Sequence, residues 1–332
     1  MAVNQPRVLG AAQALLGSYS ARSGRWRTPT GEAWQPALAI EAVLLAYEVT
    51  GDASLLAVVQ RSFARYRGRR SRFLDDDGWY LNAWLRAYDV TGEPAYRDEA
   101  VALFGAMADG WDDTCGGGVW WSTDRTYKNA ITNELFLLAA ARLARRKASG
   151  SYLDWALRTW RWFEASGMIN SDGLVNDGLD GACVNNGQPT WTYNQGVILG
   201  ALVELWRATD DRSYLDHAER IATAAVRSLV HSGSTILCEA VPGDSNRDAH
   251  VFKGVLAQGL ARLHAADPGA YAAIGEFLRA NADTVAAGPY GYAWLSPPGP
   301  VNAATQASAA LLLGAVDLMD KPPSGEQDGG AP

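Results

Sequence analysis

Cysteine and histidine are scarce in this sequence. Its 332 residues hold three cysteines (Cys115, Cys183, Cys238) and four histidines. The cysteines are far apart and odd in number. They make neither metal-type spacing nor a disulfide framework, so nothing in them argues for an oxidising compartment. No apolar run reaches about 18 residues without a charge, so no membrane span is expected. The opening residues, Met1-Ala-Val-Asn-Gln-Pro-Arg7, lack the basic start and apolar centre of a secretory leader. As written the chain reads as cytoplasmic, and as secreted if a leader has been trimmed away. Positive charge is also thin: 29 Lys and Arg against 36 Asp and Glu leave a net charge of −7. The one basic run, Arg65-Tyr-Arg-Gly-Arg-Arg-Ser-Arg72, reads as solvation of an outer helix end, and no nucleic-acid partner is expected.

Apolar and aromatic residues, by contrast, are plentiful. With 48% hydrophobic and 20% charged residues, the chain can bury a large core. Thirteen Trp and thirteen Tyr are many for this length. Many of them fall in predicted loops, where they suggest stacking on sugar rings.

The stretch Phe73-Leu-Asp-Asp-Asp-Gly-Trp-Tyr-Leu-Asn-Ala-Trp84 concentrates the chemistry. Trp79, Tyr80, Ala83, Trp84, Ala87 and Tyr88 recur at i, i+3, i+4, one face of a helix, and three carboxylates sit at its start. One Asp suffices to cap a helix. Two spare carboxylates beside aromatic faces are what glycoside hydrolysis needs.

A polar turn recurs along the chain. Ala46-Tyr-Glu-Val-Thr-Gly-Asp52 returns as Ala87-Tyr-Asp-Val-Thr-Gly-Glu93, then as Arg145-Arg-Lys-Ala-Ser-Gly-Ser151 and Trp206-Arg-Ala-Thr-Asp-Asp211, and faintly as His264-Ala-Ala-Asp-Pro-Gly269. Each separates two helical patterns, so the unit is a helix pair. Helices before the turns, predicted at 34–49, 76–90, 129–147, 192–208 and 249–265 with a last one at 302–318, are apolar nearly all round and therefore buried. Those after the turns, at 53–67, 94–108, 150–165, 212–230 and 268–284, are amphipathic. An opening helix at 7–20 completes the outer set. The fold class expected is all-α, an (α/α)6 barrel of six inner and six outer helices. It forms one domain over residues 1–320, with 321–332 a disordered tail.

Connectivity then separates two faces. The repeat turns share one end of the barrel. Longer segments near 21–33, 68–75, 109–128, 166–191, 231–248 and 285–301 lead into inner-helix starts at the other end, and long loops on a rigid scaffold favour function. Asp75, Asp76 and Asp77 lie there. Asp210-Asp211, on the back turns, is read as a helix cap. Asp112-Asp113 precedes a glycine-rich loop, and Asp172, Asp177 and Asp180 are read as turn formers because a calcium loop's closing Glu is missing. Asn129, Asn133, Tyr193 and Asn194, at two further inner-helix starts, suit either hydroxyl recognition or capping and burial. Lys128 is read as structural, since a cation beside the carboxylates would lower the acid's pKa. Of the adjacent Trp120 and Trp121, one is expected to face the cleft.

These motifs resemble glycoside hydrolase family 76, the α-1,6-mannanases. The residues that carry the likeness are Asp75-Asp76 with Trp79-Tyr80 and Ala87-Tyr-Asp-Val-Thr-Gly92; Gly116-Gly-Gly-Val-Trp-Trp121 with Tyr127-Lys-Asn-Ala-Ile-Thr-Asn-Glu134; Thr192-Tyr-Asn-Gln-Gly-Val197; and Phe252-Lys-Gly254. The resemblance implies an (α/α)6 fold and retaining hydrolysis of α-1,6-mannosidic bonds, usually within a chain. It places the nucleophile at Asp75 and the acid/base at Asp76, with Asp77 leaving the register open by one residue. Trp79, Tyr80, Trp120, Trp121, Asn129, Asn133, Tyr193 and Asn194 are the expected substrate contacts. The partner implied is an α-mannan oligosaccharide or polysaccharide, the protein acting as a monomer without metal or cofactor. The helix dipole is expected to keep Asp75 ionised. Repulsion from Asp75 and desolvation by Trp79 and Trp121 should keep Asp76 protonated.

Two other functions fit the same scaffold. One is a non-catalytic glycan-binding barrel, which the intact Asp pair opposes. The other is a sugar 2-epimerase, which by family resemblance would need paired histidines inside the barrel. His217, His231 and His264 lie on outer helices or back turns, and only His250 begins an inner helix.

Overall fold

The computed structural model describes residues 5–146, 151–241, 243, 245–295 and 298–321. Residues 322–332 of the predicted tail 321–332, the first four residues and positions 147–150 of the third repeat turn lie outside the described residues. Twelve α-helices account for most of what is described. The inner set is α2 (Gln35–Thr50), α4 (Leu74–Thr91), α6 (Ala130–Arg145), α8 (Thr192–Thr209), α10 (Phe252–Ala266) and α12 (Ala303–Met319). The outer set is α1 (Val8–Leu16), α3 (Ala53–Tyr66), α5 (Pro94–Ala108), α7 (Ser151–Ala165), α9 (Ser213–Ser228) and α11 (Ala272–Val285).

Each inner helix touches the next, and α12 returns to α2, so the inner ring closes; α1 packs on α12 and α2. This is the (α/α)6 barrel that the repeat predicts. Inner helices are buried on nearly every face, whereas α9 buries only Leu215, Ala218, Ile221, Ala222 and Ala225. Glycine sets the closest approach in the ring. A Cβ on Gly259 of α10 would stand 2.2 Å from the Gly196 carbonyl of α8.

The back turns show why the sequence repeats. Thr50, Thr91 and Thr209 each close the last helical turn by donating their hydroxyl to a carbonyl four residues earlier, in Ala46, Ala87 and Leu205. Each hydroxyl oxygen then accepts the N–H two residues on. The chain reverses through a left-handed residue: Gly51, Gly92 or Asp210. Asp52, Glu93 and Asp211 then accept N–H groups opening the next helix, the capping role expected for the Asp210-Asp211 pair.

The opposite face is laced by loops. Cys115 and Cys183 form a disulfide between segments 109–128 and 166–191. This corrects the reading of three unpaired cysteines: a separation of 68 residues carries no local signal, and the ring alone brings those two loops together. Within the basic run, Arg65 and Arg69 pair with Glu32, and Arg70 pairs with Glu99.

Candidate active site

A cleft of about 420 Å³ opens on the loop face, at the N-terminal ends of the inner helices. Part of its aromatic lining sits at the starts of four of them. Trp34 stacks on Trp79 at 5.4 Å, and Trp79 on Tyr193 at 6.3 Å. Tyr193 lies against Phe252 at 3.9 Å with the rings 14° apart. Phe73 and Trp121, with centroids 4.7 Å apart, form another wall. Their backbones are joined where Leu74 N–H donates to the Trp121 carbonyl at 2.7 Å.

Asp75 and Asp76 lie in this lining, in the first turn of α4. Neither caps the helix: the cap position is Phe73, in extended conformation with no side-chain bond to the turn. Burial raises the Asp75 pKa to about 8, and the charge of Asp76 adds to it. The Trp121 indole and the N–H groups of Asp75 and Asp76 act in the opposite sense. The expectation that the helix start keeps Asp75 ionised is therefore corrected, because desolvation outweighs the dipole. Asp76 is raised to about 6, again by burial, with the Ser71 hydroxyl opposing and Asp248 adding. Asp75 and Asp76 interact through charge and so titrate as a unit, and between about pH 6 and 8 this unit holds one proton. One ionised and one protonated carboxyl is the state that retaining glycoside hydrolysis uses.

Asp177 and Asp248 bring the lining to four carboxylates, and among the described residues no lysine, arginine or histidine joins them. Asp177 accepts from the Tyr127 hydroxyl. It is held in place by backbone pairing, as Ala130 N–H donates to its carbonyl at 2.8 Å. A Cβ on the adjacent Gly178 would meet the Lys128 carbonyl at 2.8 Å, so only glycine permits that approach. Asp248 accepts from the Trp34 indole at 3.0 Å. Asp177, which the sequence presents as a turn former, lies in the lining together with Trp34, Asn246 and Asp248, which no motif marks. No spacing in the sequence links them, since they meet only when the ring closes.

Of the expected substrate contacts, Trp79, Trp121, Asn129 and Tyr193 line the cleft. The other four lie outside this lining. Tyr80 turns outward onto Tyr66 and Trp84. Trp120 donates its indole N–H to Asp112 at 2.7 Å under the Lys128 ammonium. Asn133 is fully buried, bonded to both the N–H and the carbonyl of Val119. Asn194 is fully buried on α8. Tyr80 is taken up by aromatic packing, Trp120 and Asn133 by bonds to the 109–128 loop, and Asn194 is enclosed by its surroundings. Asp77 also leaves the cleft, so the acidic pair in the lining is Asp75 and Asp76. Lys128 is structural, donating to Asp112 Oδ1 and to the carbonyls of Asp112, Thr114 and Gly117.

His250 is bonded to Asn302 at 2.9 Å and lies outside the lining, so the paired histidines of an epimerase are not in this cleft. An (α/α)6 barrel whose mouth sets an acidic pair among aromatic faces defines a carbohydrate-active protein of the hydrolase type. The chain belongs to glycosyl hydrolase family 76, whose model matches residues 11–310.

Among known relatives it is 33% identical to the mannan endo-1,6-alpha-mannosidase DCW1 of Candida albicans, over 48% of this chain and 38% of that protein. A putative mannan endo-1,6-alpha-mannosidase of Schizosaccharomyces pombe is 28% identical over 82% of this chain and 67% of that protein. The match thus spans well under half the length of the Candida protein. Among solved structures, the α-1,6-mannanase GH76A of Salegentibacter sp. HEL1_6 is 27% identical with a TM-score of 0.82, covering 95% of this chain and 99% of that one. An inactive variant of it, with two consecutive aspartates replaced by asparagine, was solved with α-1,6-mannotriose and has a TM-score of 0.83.

Proposed function

We propose that the protein is an endo-acting α-1,6-mannanase that works by a retaining double displacement, with Asp75 as nucleophile and Asp76 as acid/base. The observation that carries this reading is the Asp75–Asp76 pair on the wall of an aromatic cleft, raised by burial so that it holds one proton near neutrality. The mannotriose complex of the doubly substituted Salegentibacter enzyme supports the same chemistry for this chain.

In the first step the Asp75 carboxylate attacks the anomeric carbon, and the proton of Asp76 passes to the departing glycosidic oxygen. In the second, Asp76 takes a proton from water, whose oxygen attacks the same carbon and releases Asp75. In the empty cleft burial favours the proton on Asp75, so the bound sugar has to shift it toward Asp76. Trp121 and the helix-start N–H groups, which favour the ionised form of Asp75, assist that shift. The Cys115–Cys183 bridge suits an oxidising compartment, so we place the enzyme outside the cytoplasm.

The decisive assay is reducing-end release from linear α-1,6-mannan. Asp75→Asn and Asp76→Asn should each lower kcat by at least about a thousandfold with the fold intact. An Asp76 variant should regain its first step on a substrate with an activated leaving group, and an Asp75 variant should not. Turnover near the parent's in both Asn variants ends the assignment.

A further inference from the structure

Asp77, the third acid of the run, is 4% exposed, yet it takes no part in the cleft wall. Behind Asp76 lies a second cavity of about 170 Å³, lined by Asp76, Asp77, Ser71, Tyr80, Arg69 and Arg70 among others. Asp76 and Ala33 line both spaces, and Asp76 is the titratable group they share. Ser71 ties Asp76 to Asp77. Its backbone N–H donates to Asp77 Oδ1 at 3.0 Å, and its hydroxyl donates to Asp76 Oδ2 at 2.8 Å. Phe73 N–H donates to Ser71 Oγ at 3.1 Å. A serine hydroxyl has one hydrogen to give, and here it goes to Asp76.

We propose that Ser71 and Asp77 are positioning residues for the acid/base. Asp77 anchors the Ser71 backbone. The hydroxyl so fixed occupies Asp76 Oδ2 and leaves Oδ1 as the oxygen that carries the proton to the leaving group and takes it back from water. The inference rests on Asp76 being the acid/base.

Burying the Asp77 carboxyl is costly, and its Oδ2 is buried without a hydrogen-bond partner among the described residues. The Ser71 anchor is what the structure shows it providing in return. The charged and titratable groups around Asp76 are accounted for on every side. Asp75 and Asp77 share its helix, and Asp248 faces it from the loop before α10. Asp177, Tyr127 and Tyr193 share the cleft. Glu32, Tyr66, Tyr80, Arg69 and Arg70 line the rear cavity. Of the contacts made by Asp76, the Ser71 hydroxyl is the one that lowers its pKa, so removing it acts in a known direction.

The test uses the full chain and linear α-1,6-mannan, with rates from about pH 4 to 10 and a melting curve for every variant. Ser71→Ala should lower kcat roughly tenfold or more with KM changed less than about threefold, the loss expected for a hydrogen bond to a charged group. The acidic limb of its pH profile should move upward by about one unit, because the Ser71 hydroxyl favours the ionised form of Asp76 and its loss raises the lower titration of the pair. Ser71→Thr keeps the hydroxyl and should restore most of kcat and the parent limb. Asp77→Asn keeps an acceptor for the Ser71 N–H and should retain most of kcat, whereas Asp77→Leu should match Ser71→Ala.

A role confined to stability would lower the melting temperature and leave the pH limb in place. A folded Ser71→Ala enzyme with the parent's limb and kcat overturns the inference, provided that Asp76→Asn is inactive. If Asp76→Asn is itself active, the acid/base reading falls first and takes this one with it.

Discussion

Replacing Lys128 with methionine should loosen one wall of the cleft without touching a reacting group. Lys128 is 2% exposed, and its ammonium makes four contacts: Asp112 Oδ1 at 2.9 Å and the carbonyls of Asp112, Thr114 and Gly117 at 3.1, 2.6 and 2.6 Å. The Thr114 carbonyl belongs to an exposed residue and can turn to water, but Gly117 is buried and loses its partner. An orphaned buried carbonyl costs about 1–3 kcal/mol. Asp112 is held well below the usual carboxylate range, because Lys128, the Trp120 indole and the Thr114 N–H outweigh its own desolvation. Its side chain is 30% exposed and keeps the indole and the N–H, so the lost ion pair adds only about 1–2 kcal/mol.

Methionine fills most of the volume and no longer has to bury a charge, which offsets part of the loss. The net is about 3 kcal/mol. A chain of this length unfolds with roughly 0.7 kcal/mol per degree of entropy, so the melting temperature should fall by about 4 °C. The loop that Lys128 ties down runs on to Trp121, so KM for mannan should rise while the pH limbs stay where they are. Melting within one degree of the parent, with KM unchanged, would refute the account of Lys128 as the clamp of this loop.

The pH profile of the parent should be a bell with limbs near 6 and 8, set by the pair; a flat profile across that window counts against the shared proton. The same raised values mean that the folded state binds more protons than the unfolded one between the ordinary carboxylate range and about pH 8. Stability should therefore fall as pH rises through that window, and Asp75→Asn should melt higher than the parent at pH 8. Removing the bridge with Cys115→Ser and Cys183→Ser frees a 68-residue loop in the unfolded chain, worth up to about 4 kcal/mol; equal melting of the parent with and without reductant argues that the bond is not made. Trp121→Ala should raise KM for mannan by about tenfold or more through lost stacking, while Trp120→Ala should act mainly on stability; the reverse order would mean that the wall is misassigned.

Much of the fold was legible because its signals are local. The Thr-Gly-Asp and Thr-Gly-Glu turns at Thr50 and Thr91 bond within a few residues, and the same chemistry recurs at Thr209. Predicted helices such as 34–49 and 192–208 agree with Gln35–Thr50 and Thr192–Thr209 to within a residue or so at each end. The separation of faces followed from connectivity, and it put Asp75 and Asp76 at the correct end. The site was harder to read. Tyr80 and Asn194 sit one residue along the helix from Trp79 and Tyr193, a rotation of about 100°, and that rotation carries them out of the cleft. Asp177 and Asp248 are brought to the cleft by loop-to-loop pairing over long separations, and no periodicity announces them.

Composition and pattern by themselves determined that this chain makes paired helices, which of them face inward, and which end carries the loops. Backbone propensity, hydrophobic periodicity and side-chain bonds over four residues are properties of short segments. Tertiary structure alone decided which carboxylates share a cleft, that Cys115 meets Cys183, and that burial raises both Asp75 and Asp76. Desolvation and charge repulsion depend on what surrounds a group in space, and closing the ring creates those surroundings.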